Sequence, residues 1–218
     1  MALLLADARL PDGSHAHSGG MEQATDDGVV TGLATLTPFL QGRLDSAGRL
    51  AAFVAARACT LDPCTWADLD AEVTARVVAP ALRATSRRQG RALLRTGMAL
   101  VPAAGLAVVS ESAPEGPHLA VVQGALARAA GLTPAEAALI AAYGTVVVAA
   151  SAALRLLGLD PVSVTAALAA LAPEIDRLTS EAAADAQGPA RHLPAPAAPL
   201  TDLLGERHAA REERLFAS

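Results

Sequence analysis

The chain has no lysine. All 17 of its basic residues are arginine, set against 22 acidic ones for a net charge of −5. An acidic balance excludes a general electrostatic attraction to nucleic acid, and it leaves planar guanidinium groups as the cationic chemistry at neutral pH. Aromatic residues make up only 2% of the chain, which further disfavours an RNA- or DNA-binding surface. Two cysteines, Cys59 and Cys64, are too few for a disulfide framework and fit no zinc-ligand spacing, so they read as small core residues. Walker A and dinucleotide fingerprints are both absent, as is a Gly-x-Ser-x-Gly nucleophile elbow, so nucleotide and acyl-transfer chemistry have no motif to stand on. The N-terminus has no basic n-region and its apolar run stops at Asp7, which argues against a signal peptide and for a cytoplasmic protein.

What the chain does have is small and medium apolar residues: 52% of its 218 residues are hydrophobic, mostly Ala, Leu and Val, and mean hydropathy is +0.36. Ala and Leu are strong helix formers, and small side chains let helices pack closely. An all-α, single-domain bundle of roughly ten helices follows. Four dipeptides place a capping side chain before proline, Thr37-Pro38, Asp62-Pro63, Thr133-Pro134 and Asp160-Pro161, and each reads as a helix start. Gly32, Gly105, Gly116, Gly131 and Gly158 read as helix ends. The resulting helices lie near 2–9, 20–28, 35–44, 47–60, 63–78, 80–99, 118–130, 134–157, 161–171, 173–186 and 200–214. Strand signals such as Val146-Val147-Val148 are too short to outvote helix, and no internal repeat is present. The uncharged run 137–154 reaches the lower length limit of a membrane span, but its Ala content and its Tyr143, Gly144, Thr145 and Ser151 favour a buried central helix. A helical body over 1–187, a Pro-rich extended linker over 188–199 and a charged tail over 200–218 complete the organisation. The tail reads either as a partner-binding arm or as a frayed terminus.

Three stretches invite function. The first is the turn Leu10-Pro-Asp-Gly-Ser-His-Ala-His-Ser-Gly-Gly-Met-Glu22, a Gly-rich loop set against a rigid helical body. Its His15-x-His17 pair opens one alternative, a helical metal carrier or enzyme, since imidazole suits a borderline metal such as nickel and His118 could join in the fold. The second is Arg83, Arg87, Arg91 and Arg95, recurring every four residues with Arg88 beside them, and no acidic residue between Glu72 and Glu111 to pair with them within the helix. That stripe is either a solvated face or a docking surface for an acidic partner. The tail ends in a third, Arg214-Leu-Phe-Ala-Ser218.

Taken together these stretches resemble the UreF family of urease accessory proteins, most of all its actinobacterial form. The opening block is matched by Leu10-Pro11-Asp12-Gly13 and Ser18-Gly19-Gly20-Met21-Glu22. A second block is matched by Arg83, Ser86, Gly90, Leu93 and Leu94, and a third by Pro117-His118 through Gly124, with Gly131-Leu132. The C-terminal Arg-Leu-Phe-x-Ser is present with His208 upstream. The chain departs from the family pattern at His15 and Ala16, at Leu157-Gly158-Leu159-Asp160 after Arg155-Leu156, and at Ala209.

The resemblance implies an all-α, dimeric, non-enzymatic maturation factor without a cofactor of its own. It implies binding to UreD (called UreH in some organisms) and to the GTPase UreG, in a complex that inserts nickel into the urease apoprotein. The residues expected to make or shape partner contacts are Pro11, Gly13, Ser18, Gly20 and Glu22 in the loop, Arg83, Ser86 and Gly90 on the Arg-rich helix, and Arg155. His208, Arg214, Leu215, Phe216 and Ser218 in the tail complete the set, with Leu215 and Phe216 as apolar anchors.

Overall fold

A computed structural model of the chain describes residues 1–7, 10–102, 104–113 and 115–218. Among these residues there is no strand. The helices are α1 (Ala2–Leu5), α2 (Met21–Asp26), α3 (Leu33–Arg43), α4 (Arg49–Thr60), α5 (Trp66–Arg76), α6 (Pro80–Leu100) and α7 (Ala104–Ser112). They continue as α8 (Leu119–Ala129), α9 (Pro134–Leu157), α10 (Pro161–Ala170), α11 (Ala172–Ala184) and α12 (Pro199–Ala209). The expected first helix covers residues 8 and 9, which lie outside the described residues.

The local signals act as their chemistry dictates at three of the four capping dipeptides. Thr133 Oγ1 accepts the Glu136 N–H at 3.2 Å while the Glu136 carboxylate accepts the Thr133 N–H at 2.7 Å, a reciprocal box that opens α9. Asp160 accepts from Ser163 N at 2.9 Å ahead of α10, and Asp62 accepts from Cys64 N at 3.0 Å ahead of a single 3-10 turn that leads into α5. Thr37-Pro38 does not start a helix. There α3 begins earlier, at Leu33, because the Thr35 hydroxyl already takes the N–H groups of Thr31 and Gly32. Nor does the chain break between residues 44 and 47. A π-helical turn over Leu44–Gly48 joins α3 to α4 into one continuous rod, with the Ser46 hydroxyl donating back to Gly42 O at 2.6 Å. Gly105 ends nothing either; it sits in the first turn of α7, a helix the sequence reading did not separate out.

Two helices organise the core. α9 buries Ala138, Ala142, Val146 and Ala149 against α2, α3, α10 and α11, in a cluster that also takes in Leu204 of α12. α4 gives Ala52 and Ala56 to that cluster and Leu50, Val54 and Ala58 to a second one, built with α5, α6, α7 and α8. Small residues set the spacing: a Cβ on Gly124 of α8 would lie 2.3 Å from Ala55 O, so α4 and α8 meet backbone to backbone. α9 is long and apolar enough to cross a membrane, yet 56% of that stretch is buried inside the bundle, as expected of a central core helix. Cys59 is buried and bonded to Leu132 O at 3.4 Å, whereas Cys64 is exposed, so only the first is a core residue.

The segment 188–199 is fastened along its length. Arg57, fully buried in α4, bonds Pro189 O at 2.8 Å and pairs with Asp185, and Arg76 reaches Arg191 O at 2.9 Å and Leu193 O at 3.1 Å. Leu193 itself enters the second core cluster. The chain thereby returns α12 to the same side of the bundle as the Gly-rich loop.

Candidate functional site

The loop and the tail form one structure. Gly13, Gly19 and Gly20 take positive φ of 81°, 62° and 83°, which lets the chain fold tightly and enter α2 with Glu22 in its first turn. Glu22 is only 2% exposed. Its carboxylate accepts from His208 Nε2 at 2.8 Å, from Leu215 N at 2.8 Å and from Phe216 N at 3.0 Å, with Arg211 Nη1 at 3.8 Å. Burial by itself would push this carboxyl's pKa up. The Leu215 N–H, His208 and the Phe216 N–H outweigh it and hold the group below the usual carboxylate value, so it is an anion at neutral pH. α12 ends at Ala209 rather than running to 214, and beyond it the chain turns back so that Leu215 N and Phe216 N reach Glu22.

A second seam lies alongside. Ala217 N donates to Ala16 O at 2.6 Å, Ser18 Oγ donates to Ser218 O at 2.8 Å, and His17 Nδ1 meets Ser218 Oγ at 2.5 Å. Burial and the nearby Arg88 push the His17 imidazole down to about 4, so it is neutral here. Phe216 is buried in the first core cluster with the Arg155 guanidinium 5.0 Å above its ring, while Leu215 beside it is 83% exposed. Leu215, Phe216, His15, Arg155 and Leu156 line a surface cleft of about 300 Å3.

The other two motif blocks meet at His118, which is fully buried. Ser86 Oγ lies 3.0 Å from its Nδ1, Thr74 Oγ1 lies 3.1 Å from its Nε2, and Asp70 accepts the His118 N–H at 2.7 Å. Arg87 locks the node by donating to Asp70 at 3.0 Å and to Thr74 at 2.8 Å. Gly90 is required by contact, since a Cβ there would lie 2.0 Å from Pro117 O. Burial holds His118 down at about 4, with Asp70 opposing and Arg87 and Arg83 reinforcing. This is a satisfied core histidine. His118 is bonded to α5 and α6, whereas His15 is exposed and His17 is bonded to Ser218 in the loop–tail seam, and among the described residues no three His, Cys, Asp or Glu side chains gather as metal ligands.

The UreF family profile matches residues 30–172. A urease accessory protein UreF of Mycobacterium sp. strain JLS is 44% identical over 216 residues, covering 99% of this chain and 97% of the relative. The chain belongs to the UreF family of urease accessory proteins. The UreF of Mycolicibacterium vanbaalenii is 41% identical over 218 residues, and that of Mycobacterium tuberculosis strain H37Rv is 43% identical over 216, each covering 99% of this chain. Both source genera are actinobacterial, and the chain's role accordingly lies in urease maturation.

Within this UreF fold the expected contact residues divide by exposure. Pro11, Arg155, Arg214 and Leu215 face outward. Ser18, Glu22, Gly90, His208 and Phe216 are buried, and Ser86 is committed to His118, so these shape the surface from beneath. Phe216 in particular is spent on the chain's own core and is not free to anchor a partner in this arrangement. The Arg stripe divides in the same way. Arg83 turns onto Val77 O and Val78 O and Arg87 onto Asp70, leaving Arg88, Arg91 and Arg95 exposed. Sequence reasoning missed Asp70, 17 residues upstream of Arg87, because it sought a partner only within the helix. It also missed the interior arginines Arg43 and Arg57, for which no spacing in the sequence gives a signal.

Proposed function

We propose that this chain is a non-catalytic bridging subunit that binds UreD/UreH and the GTPase UreG, as a cytoplasmic homodimer, in the complex that inserts nickel into the urease apoprotein. Through that position it modulates GTP-dependent activation. One observation carries the reading: the loop and tail are knitted by Glu22 into a rigid platform whose outward group is an unsupported leucine, Leu215, beside Arg214 and the Arg155 cleft. Arginine is a favoured residue at interface hot spots, and here Arg155 and Arg214 flank an exposed apolar side chain. UreD/UreH is assigned to this platform, with Leu215 as the anchor and Phe216 as the residue that holds it in place. UreG is assigned to the outward arginines of α6, Arg88, Arg91 and Arg95. Full-length Leu215→Asp, tested by pull-down against UreD, is expected to lose at least tenfold in affinity while its thermal melt stays unchanged. Arg214→Ala is expected to weaken binding less. Wild-type binding by Leu215→Asp removes the platform from the UreD interface.

A further inference from the structure

A cavity of about 650 Å3 lies between the Gly-rich loop, α6, α9 and α12. Arg43, the last residue of α3, lies in its wall. Its Nε donates to Thr145 O at 3.2 Å, and the backbone of Gly19 lies so close that a Cβ there would be 3.2 Å from Nη2. Both contacts hold the guanidinium in place. Neither satisfies its two terminal amines, and among the described residues no carboxylate pairs with it.

The other inward-turned arginines have carboxylate partners. Arg57 has Asp185 and two carbonyls, and Arg87 has Asp70 and Thr74. Partial burial pushes the Arg43 guanidinium down to about 10, which still leaves it charged at neutral pH. Arg43 is half-buried, with its Nε fixed on Thr145 O, and its two amines open onto a space large enough for a ligand. Gln123 and Ser151 line the same space and add polar groups to the wall.

We propose that this cavity binds a small oxyanion, a carboxylate, bicarbonate or phosphate, on the two free amines of Arg43. A guanidinium presents two parallel N–H donors, which match a pair of oxygens on one ion and discriminate against chloride. Arg88, Arg155 and Arg214 line the same cavity, so it adjoins the partner surfaces assigned above, and Asp7 and Asp12 stand in its wall as well.

The test uses the full-length protein at pH 7.5 and constant ionic strength, with chloride replaced stepwise by formate, bicarbonate or phosphate. Melting temperature and calorimetric binding are the readouts. At least one oxyanion is expected to raise the melting temperature saturably where chloride does not, and the three arms show which oxygen geometry the site prefers. Arg43→Lys keeps the charge and loses the fork, so binding is expected to weaken at least tenfold. Gly144→Leu is the second variant. Gly144 lines the cavity on α9, and a Cβ there meets only Gln123 Nε2, at 3.9 Å, so the added side chain fills the space without disturbing the helix. It is expected to abolish the response. The proposal is overturned if the wild type distinguishes no oxyanion from chloride, or if both variants titrate like the wild type.

Discussion

Glu22 is the residue on which both ends of the chain depend. One buried carboxylate terminates three donors, two of them backbone N–H groups of the tail. Replacing it with alanine leaves those donors buried and unpaired and opens space beneath Phe216. A charged acceptor of several buried donors is worth about 2–4 kcal/mol when removed. Glu22→Ala is therefore expected to lower the free energy of unfolding in urea by that amount. It is also expected to expose the tail to trypsin at Arg211 and Arg214 well before the body is cut. Glu22→Gln keeps the shape but turns an NH2 group toward donors, so it should fall between the two. A tail as protected in Glu22→Ala as in the wild type would show that Phe216 alone holds it.

At the scale of elements, each helix start is a small, separable contribution. Thr133 and Glu136 cap α9 in an exposed position, so Thr133→Ala is expected to cost about 1 kcal/mol in chemical unfolding without altering partner binding. The same box shows what was legible in the sequence and what was not. Thr133-Pro134 and Asp160-Pro161 could be read because both partners of each cap lie within three residues. Thr37-Pro38 misled because Thr35, two residues earlier, had already closed the turn around Gly32. The π turn over Leu44–Gly48 could not be read, because it answers to α9, far away in sequence. A Cβ on Gly48 would lie 3.0 Å from Thr145 Oγ1. The Gly-rich loop and the tail motif were each visible as residues, through their resemblance to UreF. That Glu22 and His208 form one bond across 186 positions was not. It follows from where Arg57 and Arg76 fasten the chain between them, and no local pattern encodes that.

For the whole molecule, acid is expected to act on both halves of the core at once. His17 braces the loop against the tail, and His118 joins α5, α6 and the start of α8. Both imidazoles are held neutral at about 4, well below the ordinary value of 6.5. The unfolded chain binds protons at these positions between pH 6.5 and 4 while the folded chain does not, so stability falls as pH falls through that window and levels off below it. Glu22 acts in the same direction from lower pH, since its carboxyl is held below its usual value and protonation removes the acceptor from the tail. Each imidazole contributes on the order of 3 kcal/mol across the full window. Urea unfolding at pH 7.5, 6.5, 5.5 and 4.5 is expected to show a nearly flat segment followed by a progressive loss. His118→Gln should be less stable at pH 7.5, because Ser86 and Thr74 lose their partner, but its stability should fall less steeply on acidification. A wild type equally stable at pH 7.5 and 4.5 would mean that these histidines take up protons in the folded state, which requires the loop–tail seam and the Asp70 node to open without unfolding the bundle.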